Sequence, residues 1–296
     1  MASARDIQNR IKSVQDTMKI TNAMYLISST KVKKARRALT EATPHFEQSE
    51  RLIAEILRDL PELEDRFFGT AEPIPGGKKG YLILSGDKGL AGAYNHNIVK
   101  LVQKELDKHP DQNSLYVAGR SGRHYYRKIG ANVMHKFHYI VQEPSLDRAR
   151  FMMTRVLDDY KEGRIDELYI VYSRMISPLA CAPEIKKLLP VDDESFNDIR
   201  TGSEDEEKPI DLLPSPAAVL DSVVPNYIHG VIYGALVESF CSEQNSRMLA
   251  MQSATNNAKE MLHDLNIESN RIRQAAITQE ITEVIAGAKA QKKKQE

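Results

Sequence analysis

The chain has 296 residues, room for one large domain or two ordinary ones, and 41% of them are hydrophobic, so a core can be buried. Its 41 Lys and Arg balance 41 Asp and Glu, so no global field marks a nucleic-acid binder. Two cysteines, Cys181 and Cys241, form no CxxC and indicate neither a disulfide framework nor a metal knot, and no apolar run approaches the roughly 20 residues that span a bilayer. The opening MASARDIQNR has no apolar signal core and no long acid-free leader. The expectation is a soluble bacterial cytosolic chain whose membrane association, if present, runs through partners.

Charge is unevenly placed. Residues 1–37 carry nine Lys and Arg against Asp6 and Asp16; residues 192–207 carry eight acids, Glu204, Asp205, Glu206 and Glu207 among them, against Arg200. Either two partner surfaces or two solvated faces produce that pattern.

Residues 3–60 predict one long helix. Ile7, Ile11, Val14, Met18, Thr21, Tyr25, Ser28, Val32, Ala35, Leu39, Ala42, Phe46, Ser49, Ile53, Ile56 and Leu60 recur at alternating steps of four and three, a heptad seam. Such a helix spans about 85 Å. Pro44 is expected to kink or break it. The seam alternates small and bulky residues, which allows close approach but buries little apolar area. The N-terminal segment is taken as 1–62.

Residues 63–80 hold prolines and glycines and read as a linker. Over 81–191 strands alternate with helices: YLILS, then AYNHNIVKLVQKELDKH, SLYVAG, SLDRARFMMTRVLDDYKEG and ELYIVYSRM, with PEIKKLLPV as a further strand. That order predicts a small, mostly parallel sheet with helices packed on it. The acidic, non-periodic stretch 192–214 reads as a loop. From Ser215 (an N-cap followed by Pro216) a second helix is expected to about Lys289, bent at Pro225, with 215–296 as the closing segment. Its seam steps through Met248, Met251, Thr255, Ala258, Leu262, Leu265, Ser269, Ile272 and Ala276. The fold class expected is therefore α/β: a long antiparallel coiled coil of N- and C-terminal helices with a small Rossmann-like domain inserted. The second helix should outreach the first by some twenty residues. Its end is apolar on one side at Ile277, Ile281, Val284 and Ile285, and a lone helix of that kind needs a receiver.

Several stretches invite a chemical reading. In SGDKGLAGAYN (85–95) the glycines are spaced GxxGxxG. That is neither the dinucleotide fingerprint GxGxxG nor the phosphate loop GxxxxGK[ST], so a strand-to-helix turn is the expectation. His124, His135 and His138 have no supporting cysteine or carboxylate pattern and read as a polar strand edge. No GxSxG elbow is present. The basic run KVKKARRAL (31–39) lacks interleaved aromatics and lies on a coiled-coil exterior.

These features resemble the gamma subunit family of the bacterial F-type ATP synthase over the whole chain. In ITQEITEVIAGAK, Ile277, Thr278, Glu280, Glu283, Gly287, Ala288 and Lys289 fall at the spacing of the family signature. The opening DIQNRIKSVQDTMKITNAMYLISSTKVKKA is similar to the family's first helix, including Lys19, Ile20, Thr21 and Met24. The loop SGDKGLAGAYN resembles the family's SD-[KR]-GLCGGFN turn, with Ala91 for the usual Cys, Ala93 for a Gly and Gly86 inserted before Asp87. The chloroplast redox insert is missing.

The resemblance implies a central rotor shaft, one copy per complex, inside a head of three alpha and three beta subunits. It implies no catalytic site in this chain and no cofactor bound by it, with ATP, ADP and Mg held by alpha and beta. It further implies ion-driven rotation that couples to ATP synthesis or hydrolysis, an epsilon subunit on the α/β unit, and a membrane c-ring beneath. The protein would be peripheral at the cytoplasmic face of the bacterial inner membrane, with no nucleic-acid partner. Arg273 and Gln274 would bond to beta, joined by Thr278, Glu280, Glu283 and Met24. Lys31, Lys33 and Lys34, with Arg36 and Arg37, would face acidic beta loops or remain solvated. Ile281, Val284, Ile285, Gly287 and Ala288 would turn in an apolar sleeve, and Glu204, Asp205, Glu206 and Glu207 would lie toward the ring. The rival reading of the same pattern is a nucleotide-binding α/β protein with a coiled-coil arm.

Overall fold

A computed structural model of the chain describes residues 4–59, 66–69, 74–108, 112–138, 141–177, 180–192, 196 and 212–292. The first helix, α1, covers Ala4–Asp59 and the last, α5, covers Pro216–Lys292. Helix runs through both Pro44 and Pro225, so of the kink or break expected at Pro44 the break does not occur. Proline deletes one backbone donor, and the tertiary packing of the flanking seam residues outweighs that local loss. Ser215 caps α5 as its sequence suggests, its hydroxyl accepting from the Ala218 amide at 3.3 Å.

The chain divides into two compact units, Met1–Ile27 with Met248–Glu296, and Ser28–Arg247. In the first unit the heptad seams are the buried faces. Ile7 and Thr21 of α1, and Met251, Thr255, Ala258 and Leu265 of α5, are buried between exposed flanks. Small seam residues bring the backbones close enough for a direct polar contact, as the Thr21 and Thr255 hydroxyls lie 2.8 Å apart. Each also reaches its own helix, at the carbonyls of Met18 and Met251. Thr21→Val should therefore cost about 1 kcal/mol of stability, and adding Thr255→Val should recover most of it. Denaturant titration of the two singles and the double measures this; strictly additive losses would show that the hydroxyl pair contributes nothing.

The second unit holds the sheet. Strands β1 (Phe68–Gly69), β2 (Lys79–Leu84), β3 (Asn113–Ala118), β4 (Val133–Phe137), β5 (Glu167–Ser177), β6 (Ala180–Leu189) and β7 (Val191–Asp192) alternate with α2 (Tyr94–Leu106), α3 (Arg120–Lys128) and α4 (Leu146–Lys161). The main sheet has the order β4-β3-β2-β5-β6, parallel except for the β5–β6 pair. Within the stretch read as a linker, β1 pairs with β7 and β2 already starts at Lys79. The polar strand edge expected around the histidines holds for His135, which lies in the edge strand β4, whereas His124 lies on helix α3, unexpected because RSGRHYYRK lacks an aliphatic stripe. Tyr126 supplies the buried contact of α3 instead.

Both faces of the sheet are covered, by the period of two that a strand imposes. Leu82, Leu84, Tyr116, Ala118, Leu168 and Ile170 face a core shared with α1, α4 and α5. Tyr81, Ile83, Leu115, Val117 and Val171 face a second core with α2 and α3. Inside this unit α1 and α5 run antiparallel, because Phe46 meets His229 and Tyr233 while Glu50 lies near Tyr227 and Arg36 near Cys241. Gly230 permits that closeness, since a Cβ there would stand 2.5 Å from the Phe46 ring.

Candidate functional site

Three surfaces carry the residues singled out from the sequence. The first is the end of α5, in the first unit. From Arg273 to Ala288 every residue is exposed. Ile277, Ile281, Val284 and Ile285 are 49%, 54%, 72% and 52% exposed. A helix turns about 100° per residue, and on that basis these four do not continue the seam that holds Leu265 buried and Ser269 and Ile272 half-buried. The seam line passes instead through Ala276, Glu280, Glu283 and Gly287, and the apolar stripe lies roughly a third of a turn away. The stripe is therefore not a surplus length of coiled-coil seam. Arg273 and Gln274 border it at its start. Thr278 and Thr282 bond back to the Gln274 and Thr278 carbonyls, and Gln279 donates to Glu283 at 2.9 Å, so these polar groups are held on the helix surface. Nothing lies within 4 Å of a Cβ built on Gly287. Met24, half-buried on α1, belongs to the same unit.

The second surface is the basic face of α1 in the second unit. Lys31, Lys33, Lys34, Arg36 and Arg37 are all exposed. They are not equivalent. Arg36 donates to the Met175 sulfur at 2.7 Å, and Arg37 pairs with Glu41 at 2.9 Å. Lys31 and Lys34 line a cavity of about 360 Å³ together with Ala35, Ala38 and Phe240. The third surface, Glu204 to Glu207, lies outside the described residues.

The glycine loop has a definite task. Gly86 donates its amide to Asn95 at 2.8 Å, and the Asp87 carboxylate accepts from the Arg120 amide at 2.8 Å. Gly119, at φ +90°, makes room for the approach: a Cβ there would fall 1.9 Å from the Ser85 carbonyl oxygen. Across the carboxyl ends of β2 and β5 lies α5. Tyr94 meets the Ser239 hydroxyl at 2.6 Å, Ser242 donates to the Ser173 carbonyl at 2.8 Å, and Arg247 reaches the Lys88 and Gly89 carbonyls at 3.3 and 3.1 Å. Arg247 also pairs with Glu243 at 2.5 Å, both side chains being more than nine-tenths buried. Burial pushes the Glu243 carboxyl above its ordinary range, and Arg247 pulls it back.

The strand order reverses between β2 and β5, which is where open α/β sheets take ligands. Here α5 fills that crevice, so the nucleotide-binding rival loses its natural site. Sequence reasoning missed this clasp. Its signal was the polar run ESFCSEQNSR (238–247), where Ser239, Ser242, Glu243, Gln244, Asn245 and Arg247 are buried in the middle of a packed helix. Among the described residues no cluster of His, Cys, Asp or Glu can hold a metal ion, and no helix is long and apolar enough to cross a membrane. The three histidines are dispersed: His124 lies on α3, His135 stacks on Tyr116, and His138 bonds Arg123.

Residues 3–291 match the family model described as ATP synthase. The chain is 45% identical over 287 residues to the ATP synthase gamma chain of Ruminiclostridium cellulolyticum, covering 97% of this chain and 98% of that one. It is 43% identical to the ATP synthase gamma chain of Acetivibrio thermocellus, covering 99% and 100%. In fold it is similar to a chain in the Euglena gracilis mitochondrial ATP synthase, solved as OSCP, F1 and c-ring in rotational state 3. That match has a TM-score of 0.67 at 15% identity and covers 97% of this chain and 94% of the other. Paired terminal helices, a filled switch-point crevice and a full-length match agree: the chain belongs to the ATP synthase gamma chain family.

Proposed function

We propose that this gamma chain engages the catalytic head through the exposed end of α5 and the basic face of α1, and meets the remaining subunits through its α/β unit. The chain serves as the central shaft of the rotary ATP synthase. The observation that carries the proposed contacts is the apolar stripe Ile277, Ile281, Val284 and Ile285, half or more exposed and turned away from the α1 seam. An apolar sleeve in the head receives it and lets it turn, because nonpolar contact has no preferred direction. Arg273, Gln274, Thr278, Glu280, Glu283 and Met24 form a polar collar against the beta subunits. Lys31, Lys33 and Lys34 address acidic beta loops.

An asymmetric shaft presents a different face to each of three beta subunits. Turning it changes which conformer each subunit favours, which is coupling through differential binding. The head then consists of three alpha and three beta subunits, with ATP, ADP and Mg held there and catalysis absent from this chain. One shaft is present per complex. Epsilon sits on the α/β unit, and the acidic stretch Glu204 to Glu207 lies toward the membrane c-ring. The assembly is peripheral at the cytoplasmic face of the inner membrane.

Reconstitution tests this reading. The chain mixed with alpha and beta subunits should co-purify as a hexamer-bound complex with one copy of the chain; separate elution would refute it. Within that complex, Arg273→Ala should lower coupled ATPase by about tenfold, the worth of one charge-assisted hydrogen bond. The melting temperature of the isolated chain should stay unchanged, because Arg273 is exposed and off the seam. Parallel losses of melting temperature and activity would place the residue in the fold rather than at the contact.

A further inference from the structure

The outer face of the α/β unit carries a cationic cleft that the shaft does not use. Between the loop after β2, α2 and the start of α3 lies a cleft of about 850 Å³ lined by Lys88, Arg120, His124 and Lys128. A second cleft of about 470 Å³ shares Arg120 and His124 and adds Arg123, Arg127 and Lys136. Arg120, Arg123 and Arg127 are spaced three and four apart, so α3 aims all three guanidinium groups along one side. Among the described residues, none of these lysines and arginines is in an ion pair with a carboxylate. Arg123 is engaged with His138. Asp87 is the single acid lining the two clefts; its Oδ1 accepts from the Arg120 amide and its Oδ2 is buried without a partner.

A set this rich in arginine suits one ligand chemistry. Guanidinium forks match phosphate oxygens bidentately, and several unpaired cations in one cleft favour a ligand with more than one negative charge. Backbone amides contribute little: those of Arg120, Ser121 and Gly122 are already bonded to Asp87, Gly86 and Ser85. Side chains must do the binding.

We propose that this cleft binds a di- or triphosphate, free or carried on a nucleotide, as a site separate from the catalytic sites of the head. A ligand there would touch the loop whose Lys88 and Gly89 carbonyls Arg247 holds, so occupancy would bear directly on the clasp with α5.

Isothermal titration of the full-length chain with inorganic pyrophosphate, ADP, adenosine and polyglutamate tests the proposal. Pyrophosphate and ADP should bind at millimolar concentration or below, adenosine should not, and raising salt should weaken both phosphates. ADP binding about tenfold tighter than pyrophosphate would identify a nucleotide, and equal affinities the free anion, each in support. The double variant Arg120→Gln with Arg127→Gln, both side chains exposed and folding confirmed by circular dichroism, should lose about tenfold or more in affinity. Absence of phosphate binding, unchanged affinity in the double variant, or polyglutamate binding as tightly as pyrophosphate would overturn it.

Discussion

Replacing Ile281 and Val284 together with aspartate is expected to leave the isolated chain folded while abolishing its productive seating in the catalytic head. Both side chains are more than half exposed in the chain alone, so neither contributes much to its own fold. Their substitution should move the melting temperature and the helical circular-dichroism signal hardly at all. In an apolar sleeve the same side chains would each gain about 1.5–3 kcal/mol from burial. Two carboxylates in their place would forfeit that gain and bring unpaired charge into an apolar surface. The combined effect is a loss of coupled ATPase of at least two orders of magnitude. Assays of assembly and ATP-driven ion pumping, beside thermal melts of the free chain, separate the two readouts. Unchanged pumping would show that the stripe has no receiver. A collapse of the free chain would show that it serves the fold after all.

The second large effect is expected at the clasp. Arg247→Met should destabilise the chain by about 3–5 kcal/mol near neutral pH, because it leaves Glu243 buried without its partner. It also removes the donors to the Lys88 and Gly89 carbonyls. The pH dependence distinguishes the two losses. Burial already raises the Glu243 carboxyl above its ordinary value, and Arg247 is the main influence that lowers it. Without Arg247 the carboxyl should rise further. A carboxyl with a raised folded pKa contributes stability that is present below its unfolded pKa and lost as pH rises toward the folded one. The stability gap between variant and parent should therefore narrow as pH falls from neutrality toward the unfolded carboxylate range. Glu243→Gln in the Arg247→Met background should recover part of the loss at neutral pH. A gap independent of pH, with no recovery in the double variant, would show that the ion pair is energetically idle and that only the loop contacts matter.

Much of this architecture is legible in the sequence because it is periodic. The heptad steps of both terminal helices coincide with the buried faces from Ile7 to Thr21 and from Met251 to Leu265. Short continuous apolar runs, YLIL, SLYVA and ELYIVY, mark the central strands. Helix α3 was not legible because it buries only Gly122 and Tyr126, so RSGRHYYRK carries no apolar period. Helix continues through Pro44 because local propensity yields to a seam packed on both sides of it. The clasp of Glu243 and Arg247 is a contact across more than 150 residues with Lys88 and Gly89, and no local pattern announces such a pairing. The exposed stripe was visible as four apolar residues, but its rotation away from the seam became meaningful only once the seam's own direction was known.

Rotation of the chain within the head, its free end bearing on the sleeve, is open to direct observation. Single-molecule observation tests it most directly: the chain assembled with alpha and beta subunits, the head fixed to a surface, and a bead attached to the α/β unit. The bead should step in one direction when ATP is added, and should stop stepping with Ile281 and Val284 replaced by aspartate. Steady ATP hydrolysis by a complex that retains the chain while the bead stays fixed would contradict it.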